Sequence, residues 1–197
     1  MRTNVDVDGT LLEKAMKLSQ AKTKKEAINE GLKALILIKQ QKKILKLRGS
    51  VTWEGNLAEM RYADWYRATV ASAWIEYFNK QANPYQPVVD NHILQGNLVY
   101  TCPIVIQEVL QGVTAKDYRR VKSGLSSAVL LTFSNAFQMA VDAAEVYRQC
   151  RTRGYTIRKA NDCLIAHYAL QYNLPLLHRD GDFDHIARVF PLQIAPV

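Results

Sequence analysis

Four acids in the second half of the chain, Glu108, Asp162, Asp180 and Asp182, are of a type that could do chemistry together. Glu108 falls on a helix opened by Pro103, Asp162 near the start of a helix over 160–172, and Asp180 and Asp182 just past Leu176-Leu177-His178. Strands alternating with helices make a parallel sheet, which gathers such positions at the carboxyl ends of its strands. Carboxylates that converge repel one another unless a hard cation neutralises them. Magnesium, with manganese as its substitute, is held by a few carboxylates and keeps waters, one of which can attack a phosphodiester. The same spacing also fits three unrelated local roles: a helix cap at Asp162, a solvated Glu108 and a turn at 180–182.

Positioning these acids requires an α/β unit. The pattern predicts an opening strand at Ala68–Ala71, a helix beginning at Trp74-Ile75-Glu76-Tyr77-Phe78, and a second strand over Leu98–Cys102 with Pro103 in the first turn of the next helix. Helices are expected over 114–127, 134–153 and 160–172. Strands are expected at Leu174–His178 and Pro191–Ile194.

The first third reads differently. Residues 2–7 alternate, with Arg2, Asn4 and Asp6 on one face and Thr3, Val5 and Val7 on the other, which predicts a short strand. Asp8 can cap a helix carrying Leu11, Leu12, Ala15 and Leu18. Thr23 and Glu26 form a capping box opening a second helix to about Leu47, ended by Arg48-Gly49. A strand and two helices in under 50 residues cannot bury a sufficient core, and a lone strand leaves its edges open. Two copies that pair strands into a ribbon and interlock their helices resolve both problems. That arrangement is a ribbon-helix-helix dimer, whose ribbon enters the DNA major groove. Arg2 and Asn4 would face bases or phosphates, and Lys24 and Lys25 at a helix N-terminus suit a phosphate. Asp6 is unwelcome there, and a dimerisation module without a DNA partner fits the same pattern.

Residues 49–67 lose periodicity. Trp53 and Leu57 among glycine and polar residues suggest an arm anchoring on another surface, with Arg61 available for an acidic pocket; an ordinary linker is the alternative.

Charge separates the two parts. Of 26 Lys/Arg and 18 Asp/Glu, residues 1–61 hold thirteen and seven, so the positive field sits on the first third, where an acidic partner is attracted. The other composition features are those of a globular protein: 197 residues, 48% apolar, no membrane-spanning run, and no hydrophobic core for an export signal at the start. Cys102, Cys150 and Cys163 are too few and too widely spaced for a disulfide framework or zinc site. They read as reduced thiols of a cytoplasmic protein.

Three segments in order, Ile106–Gly112 (IQEVLQG), Arg158–Ala166 (RKANDCLIA) and Leu176–Ala187 (LLHRDGDFDHIA), resemble PIN-domain toxins of the VapC family, over about residues 68–196. Residues 1–61, from Met1-Arg2-Thr3-Asn4 to the stretch Trp53–Arg61, resemble the VapB antitoxin. The resemblance implies an antitoxin and its toxin joined in one polypeptide. The expected division is a ribbon-helix-helix module over 1–48, a toxin-wrapping arm over 49–67 and a PIN-like α/β/α nuclease domain over 68–197. It further implies a magnesium-dependent endoribonuclease restrained by its antitoxin, whose other end represses their operon. Glu108, Asp162 and Asp180 match the second, third and fourth acidic positions of the family, with Asp182 supporting the fourth; Asp162, Glu108 and Asp180 are the implied metal ligands. The first acid is replaced. In Thr69-Val70-Ala71-Ser72-Ala73-Trp74-Ile75, Ser72 and Trp74 hold the family register and Val70 stands where it has aspartate. An isopropyl group cannot coordinate magnesium. The expectation is therefore an impaired nuclease with a weakly bound or absent metal, joined to a DNA-binding, self-associating antitoxin whose arm lies on its own toxin domain or is swapped into a partner's. An active nuclease silenced by its arm and a structural fusion with neither activity are the rival readings.

Overall fold

The computed structural model describes residues 4–52 and 69–197, with side chains from Ala73 onward in the second stretch. Arg2, Trp53, Leu57 and Arg61 lie outside the described residues.

The N-terminal helices start where the caps place them. Asp8 accepts the Leu11 N–H at 2.9 Å and opens α1 (Gly9–Ser19). Thr23 accepts the Glu26 N–H at 3.1 Å and opens α2 (Lys24–Leu45). Glu26 reaches back to the N–H of Lys22 rather than to that of Thr23. Residues 4–8 are not in a strand, contrary to the alternation. A strand takes its hydrogen bonds from a neighbour, and a single chain offers this segment none.

α1 buries no residue, and along the first half of α2 only Ala27 is buried. The second half of α2 is different. Gln41 and Ile44, with Leu47 and Val51 beyond the helix, sink into the core of the following unit. The Gln41 amide takes the part of a strand neighbour: its Nε2 donates to the Val99 carbonyl at 3.0 Å and its Oε1 accepts the Val99 N–H at 2.9 Å. Gly49, at φ +59°, turns the chain so that its N–H and that of Val51 donate to the carbonyls of Tyr77 and Phe78. Thr52 is held by the Asp117 carboxylate at 2.7 Å, which Arg120 also binds at 2.6 Å.

The second unit contains α3 (Thr69–Phe78), α4 (Tyr85–Leu94), β1 (Tyr100–Thr101), α5 (Pro103–Gln111), α6 (Ala115–Leu125), β2 (Val129–Leu130), α7 (Ala136–Thr152), α8 (Ala160–Gln171) and α9 (Gly181–Ala187). β1 and β2 pair in parallel, Tyr100 with Val129 and Thr101 with Leu130; a further parallel bridge joins Leu176 to Ile194. The class is α/β, with a small parallel sheet and helices dominating. Trp74, Tyr77 and Phe78 pack ring on ring at the centre, with Phe183, Ile165 and Val105 around them.

Three expected strands need correction. The opening strand at Ala68–Ala71 is not one: the described part, Thr69–Ala71, is the first turn of α3. Three residues continuing into Ser72-Ala73-Trp74 give their carbonyls to the helix that follows, whereas a strand would depend on partners on both sides. The strands expected at Leu174–His178 and Pro191–Ile194 contract to a single bridge. α4 and β2 were not foreseen, because Pro87 sits inside α4 and β2 is only two residues long. An apolar cavity of about 610 Å³ separates β1 from the Leu176 bridge, walled by Trp74, Val99, Tyr100, Ile165, Tyr168 and Leu176. None of the four acids lines it.

Candidate active site

The acids come from three local structures. Glu108 lies in the second turn of α5, whose Pro103 at the first position is separated from β1 by Cys102 alone. Asp162 is in the first turn of α8 and is wholly buried. Asp180 is the N-cap of α9, its carboxylate accepting the Asp182 N–H at 3.0 Å, and Asp182 is 1% exposed.

Two sets of polar contacts stand out. In the first, Asn161 donates its Nδ2 to Glu108 Oε1 at 2.8 Å and so ties α5 to the start of α8. In the second, Arg158 grips Asp182. Its backbone N–H donates to Oδ2 at 2.9 Å, its Nε to Oδ1 at 3.2 Å, and its Nη2 lies 3.1 Å from the same Oδ1. That Nη2 is also 3.6 Å from Asp180 Oδ1. Beside this cluster, Arg179 pairs with the buried carboxylate of Glu76 on α3.

The electrostatics follow from burial. Desolvation pushes the Asp180 carboxyl above its ordinary range, helped by the charge of Asp182 and opposed by the Asp182 N–H, Arg158 and Lys159. Burial, then Cys150, Asp162 and Asp182, raises the Cys163 thiol to about 12, so it stays protonated at neutral pH. Burial also raises the thiols of Cys102 and Cys150.

A divalent cation needs several hard oxygens aimed at one point. Here both oxygens of Asp182 are committed to Arg158, Asp180 Oδ1 takes a backbone N–H, and Glu108 Oε1 takes the Asn161 amide. Among the described residues no three His, Cys, Asp or Glu side chains are arranged to hold one ion. As placed, this donor set does not fit a resident divalent ion. Arg158, Asn161 and Arg179 are the site residues that the sequence reading did not single out. One signal was available for the first: Arg158-Lys159 sit at the N-terminus of α8, where the helix dipole disfavours cations unless carboxylates are at hand.

The remaining candidates lie elsewhere. Asn4, Lys24 and Lys25 are exposed, the two lysines in the first turn of α2. Val70 is in the first turn of α3.

The PIN domain family model matches residues 69–189, well over half of the chain. The chain belongs to the PIN-domain family. Ahead of its PIN domain, residues 1–47 match the VapB family, the bacterial antitoxin of type II toxin-antitoxin systems. Among curated proteins, the PIN-domain chain is 35% identical over 130 residues to a VapC ribonuclease of Mycobacterium bovis, covering 63% of the chain and 93% of the relative. The ribonuclease VapC11 of Mycobacterium tuberculosis matches to the same extent. An antitoxin region and a toxin-type PIN domain therefore share one polypeptide, a VapB–VapC fusion. No described helix is long and apolar enough to cross a membrane.

Proposed function

We propose that this chain is a self-associating, operator-binding toxin–antitoxin fusion whose PIN domain is a weakened endoribonuclease working in the cytoplasm. The 1–48, 49–67 and 68–197 division is part of this reading, with the end of α2 packed into the core of the third part. RNA is the substrate class suggested by the relatives, and Glu108, Asp162, Asp180 and Asp182 are the acids we assign to catalysis. Magnesium or manganese would be held only weakly by Asp162, Glu108 and Asp180. Arg2, Asn4, Lys24 and Lys25 would meet DNA, and Trp53, Leu57 and Arg61 would hold the arm on a PIN domain, its own or a partner's.

The observation that carries the impairment is the commitment of Asp182 to Arg158 in a site already lacking the family's first aspartate. A cleft that gathers fewer free carboxylates anchors a cation poorly and loses the water that cation would activate. The exposed apolar face of α1 and α2 supports self-association, since helices with so little buried surface need a partner.

The test is RNA cleavage by the full chain, because removing residues 1–61 would strip Gln41, Ile44, Leu47 and Val51 from the core. Val70→Asp combined with Arg61→Ala should raise magnesium-dependent cleavage by about 100-fold or more, the scale of regaining a direct ligand. Adding Asp162→Asn should erase the gain. If Arg61→Ala alone reaches the same rate, the rival reading of an active, arm-silenced nuclease is correct.

A further inference from the structure

We infer that Arg158 is the built-in counter-cation of this centre, occupying the electrostatic place that a divalent ion would otherwise take at Asp180 and Asp182. This goes beyond the proposed impairment, and rests on it only in treating these acids as the centre. Three features of Arg158 point the same way. It binds Asp182 through both backbone and side chain, so the carboxylate is held beside the residue that carries the guanidinium. Its Nη2 spans both acids, at 3.1 Å from Asp182 and 3.6 Å from Asp180, which makes one positive charge serve two carboxylates. Asp182 is 1% exposed, and burying a carboxylate is costly unless a charged, hydrogen-bonding partner such as a guanidinium accompanies it.

The ordering is also favourable. A magnesium ion gives up its hydration reluctantly, whereas Arg158 is already tethered two residues before α8 and needs no assembly. A metal competing for Asp182 would have to displace donors at 2.9, 3.1 and 3.2 Å at once. Arg179, paired with Glu76, neutralises a further acid beside this cluster.

The experiment is a manganese titration of the metal-stripped full chain, read by electron paramagnetic resonance. The native chain should show no stoichiometric site tighter than millimolar. Arg158→Gln should bind Mn²⁺ at least about tenfold more tightly, because a buried carboxylate left without its partner gains most from a new cation. Arg158→Lys, which keeps the charge, should show no such gain. A micromolar site in the native chain, or a folded Arg158→Gln with unchanged affinity, overturns the inference. Should Arg158→Gln fail to fold, the native chain still decides. Its Arg158 Nε–H resonance should ignore 10 mM Mg²⁺ (a concentration of the order of that at which weak carboxylate sites fill), and a shift refutes the counter-cation role. These readouts are independent of cleavage. A native chain that cuts RNA while its Arg158 resonance ignores magnesium removes the proposed impairment and leaves this inference standing.

Discussion

His178 shows how burial at a single residue becomes a property of the fold. Its side chain is 5% exposed, with its ring tilted against Phe183 and Nε2 3.9 Å from the Asp184 carboxylate. Burial lowers its pKa below the ordinary 6.5, outweighing the opposing pull of Asp184 and Asp180. His167, stacked on Phe133, is lowered for the same first reason, with Asp142 opposing. A histidine whose folded pKa is depressed is protonated first in the unfolded chain. Its stabilising effect is therefore complete above 6.5 and is lost as the pH falls toward the folded value. Thermal unfolding midpoints should drop as the pH goes from 7 to about 5, and less in a His167→Gln, His178→Gln chain. Asp180 works in the opposite direction, since its raised pKa favours the fold at low pH. A wild-type midpoint that stays flat over that range would contradict this account.

At the scale of elements, α2 is shared between the two halves, and its contact with α6 can be measured. A methyl placed on Gly124 would lie 2.1 Å from Leu47 Cδ1, and Leu47 is itself buried. Replacing that glycine gains up to about 1 kcal/mol of helix propensity. Overpacking costs about 1–3 kcal/mol. The clash should win, and Gly124→Ala should destabilise the chain. Leu47→Ala alone should cost about 2–5 kcal/mol. The double variant should cost less than the two summed, because the new methyl enters the space the leucine leaves. Urea denaturation of the four chains gives the coupling directly, and strict additivity would mean that α2 and α6 are not packed as described.

What the residues disclose in advance follows the range of the interactions. Asp8 and Thr23 are legible because a cap acts within three residues. So is the helix of Ala160–Gln171, whose N-terminus carries Asp162. The strands are not legible, since two-residue β1 and β2 exist only through each other across the fold. The four acids can be found as residue types near the ends of expected strands and the starts of expected helices. Their division into a Glu108–Asn161 pair and an Asp180–Asp182–Arg158 group depends on the meeting of α5, α8 and α9, which no local pattern encodes. Gln41 is the sharpest case: a polar residue on a lysine-rich helix reads as solvated, yet its amide is wholly buried against Val99.

For the whole molecule, the exposed apolar residues of the first third decide association. Leu18 is 87% exposed and Val5 72%, with Leu11, Leu32, Leu35 and Ile36 all at least half exposed. Sedimentation at micromolar concentration should show a dimer or larger assembly, and Leu32→Glu with Leu35→Glu should dissociate it. DNA binding should weaken steeply with salt. Lys24→Ala and Lys25→Ala should each reduce the salt slope by about one if the lysine meets a phosphate. A folded wild-type monomer, or DNA binding indifferent to salt, would remove the ribbon-helix-helix reading.

The burial of Gln41, Ile44 and Leu47 has a consequence for the lifetime of the protein. An inhibitor that is a separate chain can be destroyed while its target survives. Here digestion running inward from the exposed head reaches, within the same helix, side chains on which the PIN core rests. Past residue 40 it removes the amide that pairs with Val99, just before β1, and the core residues that follow. Degradation of the head therefore undermines the PIN domain rather than releasing it, and the two domains share a single half-life.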